Sequence, residues 1–338
     1  MVSEIYILDG GTYTGGGEAL FQLGCDLIQR GYKVSLIDAL NSNDPSARLP
    51  EKFKQYMGQG LRYCLREDIV DTPTNAIIVP EAATEYLFKY KKLKKIIYWL
   101  SYENYDGKIS WNQAETLIDR IIHGSRRNVI KLLHYIRNII KYHTYRYPID
   151  RTVNLSGSHY TNKMLKKCGA DFYPLFHSIG IDFLEAGMYD NLDGREDIVL
   201  YNPAKPSRLT KELIKRNKYH YIPIASLNVD QMISLFRKSK IYIDFGNFPG
   251  PERLPKETVF NGVNILVWAL HAASTDDVLI PAQYKLDVKT HAAYVEKVLA
   301  NMLDNYREQN VNFDAFREMV SSLQEGYNKQ LDIICKEL

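Results

Sequence analysis

Short apolar runs, rich in β-branched and aromatic residues, alternate along this chain with segments of helical period. Most of the runs end in Gly, Pro, Asn or Asp. The run 4–8 comes first, and Asp9-Gly10-Gly11-Thr12-Tyr13-Thr14-Gly15-Gly16-Gly17 follows it. Ala19, Leu20, Leu23, Leu27 and Ile28 then recur at helical spacing, which predicts a helix starting near Gly17 and stopped by Gly31. The next strand is 33–37. Strand, glycine-rich loop, helix and strand in that order make a βαβ unit and call for a parallel sheet.

Further strands are predicted at 76–79, 95–100, 153–156 and 172–175, with a helix at 162–168. The polar stretch 189–197 reads as a linker. A second set follows it, with strands at 198–201, 221–224, 241–245 and 264–267 and helices at 210–216, 230–238 and 256–261. The segment 291–338 is almost wholly helical in pattern. Two consecutive sets of this kind predict an α/β chain with two Rossmann-like, doubly wound domains facing a cleft. No internal repeat or low-complexity tract interrupts them.

A length of 338 residues suits two domains. Hydrophobic residues make up 45% and charged residues 25%, which excludes a disordered tail, a collagen-like fibre and a small disulfide scaffold. The net charge is only +3, from 43 basic and 40 acidic residues, so nucleic acid is not expected as a partner. Cys25, Cys64, Cys168 and Cys335 are scattered and show no metal-ligand spacing, which suits a reducing compartment. The first residues carry no basic segment, and 5–8 is too short for a signal core. The longest apolar stretch, 263–273, is well below the ~18 residues of a membrane span. A cytoplasmic protein is expected, with peripheral attachment to a membrane left open.

Three segments carry candidate chemistry. In the first loop, Gly10, Gly11, Gly15, Gly16 and Gly17 let the backbone approach a ligand, and the helix start behind them favours anions or hydroxyl-rich groups. It is not the dinucleotide fingerprint, so a nicotinamide site and a tight turn without ligand remain open beside a phosphate or acceptor loop. The second segment is the most specific. It runs Tyr242-Ile243-Asp244-Phe245-Gly246-Asn247-Phe248-Pro249-Gly250-Pro251-Glu252-Arg253-Leu254-Pro255-Lys256-Glu257. This Gly- and Pro-rich loop follows a strand, where open α/β sheets bind ligands. Arg253 and Lys256 can meet phosphate oxygens, and Glu257 can accept from a ribose diol. The third is Tyr201-Asn202-Pro203-Ala204-Lys205, whose lysine would add a cation beside Arg253. With no Asp-x-Asp and no His/carboxylate cluster for a metal, side-chain cations would have to stabilise a departing diphosphate.

Together these loops, with Trp99-Leu100-Ser101-Tyr102-Glu103-Asn104-Tyr105, resemble bacterial GT-B glycosyltransferases of surface-polysaccharide assembly. The resemblance implies a donor site in the C-terminal domain, an acceptor site in the N-terminal one, no bound metal or other cofactor, and C-terminal helices crossing back to the first domain. It matches Glu257 to the carboxylate on the nucleotide ribose, and Lys205 and Arg253 to cations at the donor phosphates. It implies that Asn202, Phe245, Gly246, Pro249, Gly250, Glu252 and Lys256 shape the same site. The sequence departs from the pattern at Pro206, where such enzymes usually have Gly, and at Pro249, where the common retaining motif has Glu. Whether transfer inverts or retains is therefore open.

Inverting transfer needs a base near the acceptor hydroxyl. Glu81, at a strand end, and Glu103 are the best-placed carboxylates, with Glu18 third. His159, in Ser156-Gly157-Ser158-His159-Tyr160, could line the cleft. Between Arg120 and Arg151 lie eight Lys/Arg, three His and one acid, Asp150. From 126 to 141 the apolar residues fall on one side of a helical wheel and the basic ones on the other, which suits either an anionic membrane surface or packing on the domain. The domain boundaries expected are 1–188 (acceptor side, with the basic segment 120–151), 189–310 (donor side) and 311–338 (C-terminal helix). The expected function is transfer of a sugar from a nucleotide-sugar to a glycan or lipid-linked glycan. A sugar-nucleotide epimerase and a non-catalytic scaffold on the same frame are the alternatives.

Overall fold

A computed structural model describes residues 2–11, 14–40, 42, 44–106, 147–204 and 206–338. The chain divides into two compact units. The first comprises Met1–Gly157, Thr161–Pro174 and Ile334–Leu338, and the second Ser158–Tyr160 and Leu175–Ile333.

The first unit is built on a seven-stranded sheet of β1 (Glu4–Asp9), β2 (Lys33–Asp38), β3 (Arg62–Cys64), β4 (Asn75–Pro80), β5 (Lys94–Trp99), β6 (Val153–Ser156) and β7 (Tyr173–Pro174). The strand order is β3-β2-β1-β4-β5-β6-β7 and every pairing is parallel. The central strands are buried almost end to end rather than alternately, as expected where helices cover both faces of a parallel sheet. The second unit holds a five-stranded parallel sheet of β8 (Glu196–Tyr201), β9 (His220–Pro223), β10 (Ser239–Asp244), β11 (Asn264–Trp268) and β12 (Lys285–Leu286). Its order is β12-β11-β10-β8-β9. Each sheet therefore reverses its direction of growth once, between β1 and β4 in the first and between β8 and β10 in the second. Such switch points open a crevice at the strands' carboxyl ends.

The pattern-based elements correspond to observed ones, and the shifts have local causes. The first helix spans Gly15–Gln29, two residues earlier than the apolar period indicates. Its opening amides need no intrahelical partner, so glycines there cost little. The helix expected at 162–168 is His159–Lys167, because the Asp277 carboxylate accepts from the amides of His159 and Tyr160, both at 2.8 Å. The helix expected at 256–261 is Arg253–Phe260, with Pro255 in a first turn that needs no donor. The helix Glu51–Met57 and strands β3 and β12 carry too few apolar residues for the pattern to show them.

The segment 175–188, assigned by pattern to the first domain, belongs to the second unit. Its helix Ile181–Glu185 stacks Phe183 on Phe236 with ring centroids 6.1 Å apart. Nor is 189–197 a free linker. Tyr189 N–H donates to Phe260 O (3.0 Å), and Arg195 is only 8% exposed. Its guanidinium donates to the carbonyls of Phe236 (3.0 Å), Ser239 (2.8 Å) and Asn261 (2.6 Å). Gly262 makes room for it. At φ +81°, a Cβ on Gly262 would lie 2.4 Å from Arg195 Nη2 and 3.0 Å from the Tyr189 carbonyl.

Gly262→Ala is therefore expected to destabilise the protein by more than about 1 kcal/mol in urea unfolding, since backbone strain and displacement of a buried cation add. Gly31→Ala is the comparison. It has φ +88° with no atom near its Cβ, and should show the backbone strain alone.

Candidate functional site

In the second unit the site is built at the switch point. Tyr201 of β8 lies opposite Ile243 of β10, so Asn202 and Asp244 leave the sheet side by side. Each starts a tight turn by accepting an amide two residues on. Asn202 Oδ1 takes Ala204 N–H at 3.0 Å, and Asp244 Oδ1 takes Gly246 N–H at 3.0 Å. The remaining oxygen of Asp244 is held by Tyr242 OH at 2.7 Å. Phe245 and Phe248 are buried and anchor the loop, Phe245 lying 5.8 Å from the Trp268 ring. Phe248 O accepts Ala272 N–H (3.2 Å), which braces the loop against the segment after β11. Gly246 and Gly250 are buried, Pro249 and Glu252 are half-buried, and Glu252 N–H closes a turn onto Gly250 O (2.9 Å).

The chain then enters the helix Arg253–Phe260. Arg253, Lys256 and Glu257 stand at i, i+3 and i+4 and so share one face. Arg253 is half-buried, whereas Lys256 is 4% and Glu257 6% exposed. Burial pushes the Lys256 ammonium down to about 8. Arg253 adds to that push, and Asp277, Glu257 and Glu252 oppose it. A helix's first turn favours carboxylates over cations. Two cations there, one of them buried, cost stability. The structure thus brings together Asn202, Phe245, Gly246, Pro249, Gly250, Glu252, Arg253, Lys256 and Glu257. Lys205 lies outside the described residues, as do Thr12, Tyr13 and the basic segment from 120 to 146.

Sequence reasoning missed two residues here. Asp277 is buried, accepts the His159 and Tyr160 amides, and lends its charge to Lys256. No spacing in the sequence ties it to Lys256. His177 is also buried and feels the charges of Lys256 and Arg253. Its only signal is a polar pair, His177-Ser178, inside an apolar run that ends at Gly180.

The glycine-rich loop, Glu81 and Glu103 belong to the first unit. Ile7 pairs with Ile78, so the ends of β1 and β4 are also side by side, with Gly10 and Gly11 after one and Glu81 after the other. Gly11 has φ +68°, and a Cβ there would meet Leu40 at 2.7 Å. Gly15, Gly16 and Gly17 form the opening turn of the first helix. Glu81 is 2% exposed and accepts from Leu100 N–H (2.9 Å) and Asn104 Nδ2 (3.2 Å). Burial raises its carboxyl to about 7 against those hydrogen bonds. Glu81 therefore holds in place the segment that carries Glu103, which is half-buried on the short helix Tyr102–Asp106. Glu18 is engaged by Tyr56 OH (3.0 Å) and Lys52 Nζ (2.8 Å). His159 is exposed, its ring 4.7 Å from Phe176.

By sequence, no family model and no curated protein matches the chain. By fold it is similar to sucrose-phosphate synthase of Thermosynechococcus elongatus, with TM-score 0.60 and 12% identity over 99% of this chain and 98% of that one. It is similar to HepE of Anabaena, solved with UDP-glucose, with TM-score 0.60 and 10% identity over 99% and 100% of the two chains. A glycosyltransferase of Rickettsia africae gives TM-score 0.57 and 11% identity over 98% and 99%. The fold is of the GT-B type, as the sequence motifs imply.

Because Glu81 binds its proton more tightly when folded, its contribution to stability is full below about pH 4.5, the ordinary value, and is lost as pH rises through about 7. Other buried groups, His177 among them, add pH dependence in the same range, so the comparison is with Glu81→Gln: from pH 5 to 8 the melting temperature of the wild type should fall relative to that of the variant.

Proposed function

We propose that the protein is a glycosyltransferase that moves a sugar from a nucleotide-sugar held in the second unit to a glycan or lipid-linked glycan held by the first. The observation that carries this reading is the pair Arg253 and Lys256 on the face that also bears Glu257, opening a helix at a switch point. A diphosphate fits two cations and a helix N-terminus, and a ribose diol fits the carboxylate one turn on.

In the transfer, the acceptor hydroxyl oxygen forms a bond to the anomeric carbon while the bond from that carbon to the diphosphate oxygen breaks. The bonding pair leaves on the diphosphate, and the hydroxyl proton passes to a base or to the departing phosphate. Arg253 and Lys256, with Lys205, neutralise the charge that develops on the leaving group. This chemistry asks for no metal, so activity and binding should be insensitive to EDTA. Asn202 and the backbone of 246–250 shape the donor site. The glycine-rich loop approaches acceptor or phosphate. Glu103 is the better candidate for a base, since the Glu81 carboxylate is already committed to Leu100 and Asn104. The basic segment 120–151 would bring the enzyme to an anionic membrane face, which suits a lipid-linked acceptor in cell-surface polysaccharide synthesis on the cytoplasmic side. Among the described residues no helix is long and apolar enough to cross a membrane.

Thermal shift with UDP, GDP, dTDP, CDP, ADP and NAD, with and without EDTA, tests the reading. One nucleoside diphosphate should stabilise the protein selectively. NAD-selective stabilisation, or none at all, would overturn it. Glu257→Ala should weaken binding of that nucleotide in calorimetry while the fold stays intact by circular dichroism. A diphosphate binds the charged form of Lys256, so affinity should drop on the order of tenfold between pH 7.5 and 9.5. Lys256→Met should bind weakly at every pH in that range.

A further inference from the structure

The stretch Leu175–Gly180 connects β7 to the next helix, yet nearly all of it is buried. Connections usually run over the surface, where water satisfies their polar groups. Here two polar side chains stand inside the protein. His177 is 4% exposed and Ser178 fully buried. His177 Nδ1 and Ser178 Oγ have no hydrogen-bond partner among the described residues. Buried donors without partners are costly, and two in succession call for a group that satisfies them. The charges that act on His177 are those of Lys256 and Arg253, which places it near the first turn of the Arg253 helix.

We propose that His177 and Ser178 are further ligand-binding residues of this site, and that their N–H and O–H donate to anionic oxygens of the diphosphate that Arg253 and Lys256 attract. The inference rests on the donor-site reading above. Two neighbouring cations select an anion as the missing partner. Burial, and then the same two cations, hold the imidazole well below its ordinary pKa, so it is neutral and keeps one N–H to donate. A third and fourth donor without charge add directional contacts and no further repulsion between cations. The pair would thus read the phosphate geometry, while the cations supply the attraction.

The test uses the full chain and whichever of UDP, GDP, dTDP, CDP and ADP the wild type binds. The imidazole resonances of His177, assigned in wild-type protein by comparison with His177→Asn, should shift on saturation with that nucleotide. His177→Phe should lower its affinity about 10- to 100-fold, the range for a lost hydrogen bond to a charged group. Ser178→Ala should lower it less. A merely structural role for His177 would leave the resonances unmoved by the nucleotide. Unmoved resonances, with Ser178→Ala and a folded His177→Asn or His177→Phe binding as the wild type does, would overturn this inference and leave the donor site standing. Failure of the wild type to bind any of the five would overturn both.

Discussion

One guanidinium holds the second unit's Arg253–Phe260 helix in register. Among the described residues Arg195 has no carboxylate partner, and it is only 8% exposed. It is satisfied by carbonyls at the end of the helix Val229–Lys238 and just past the end of the helix Arg253–Phe260. Helix C-termini carry partial negative charge and unpaired carbonyls, so a cation placed among them is compensated without a counter-ion. Burial lowers the pKa of Arg195, but an arginine stays charged through the physiological range. The Arg253 helix is only eight residues long. Fixing its last carbonyls therefore fixes its first turn, where Arg253 and Lys256 stand. Tyr306 OH and Asn310 Nδ2 both donate to the carbonyl of Gly262 (2.6 and 2.8 Å), and so secure the residue that gives Arg195 its space.

That rigidity explains how a poor local arrangement persists. Cations in a helix's first turn oppose its dipole, and burying an ammonium adds a desolvation cost. Local preference would place Asp or Glu at these positions and Lys outside. The surroundings tolerate the opposite because Asp277 supplies a buried carboxylate, itself held by two amides, and because the C-terminal end of the helix is pinned. Local rules broken at one place and compensated around it are a mark of a functional site.

Much of the architecture was legible in the sequence because a parallel sheet writes itself as continuous apolar runs. Ile5-Tyr6-Ile7-Leu8 and Ile96-Ile97-Tyr98-Trp99 need no alternation to be read, since both of their faces are covered. The Gly- and Pro-rich loop after β10 was legible for the same reason its residues are there, in that few other residues turn so sharply. Strand order was not legible, because it depends on which crossovers go which way. Arg195 was hidden in a stretch whose polarity resembles a linker, since composition does not separate a solvated arginine from one that faces carbonyls. Asp277 and His177 come from distant segments and meet the helix only in three dimensions.

Carboxylates at strand ends show why the acid–base chemistry was harder to read than the anion site. Asp9 and Asp244 both end central strands beside a switch point, where a catalytic acid would also be expected. In both, one oxygen takes the amide two residues on, Gly11 N–H at 2.8 Å and Gly246 N–H at 3.0 Å. In both, the other oxygen takes a tyrosine hydroxyl, Tyr63 at 2.6 Å and Tyr242 at 2.7 Å. The same device thus appears once in each unit. It turns the backbone within two residues of the strand's end, at Gly10 and Gly11 in one unit and at Gly246 in the other. Glu81 serves a third strand end in a related way, through Leu100 N–H and the Asn104 amide. A carboxylate whose oxygens are both engaged by donors has its lone pairs committed to the fold rather than to a substrate. Position at a strand end therefore locates the sites in this fold. The occupancy of each oxygen is what separates the residues that build the site from those available for its chemistry.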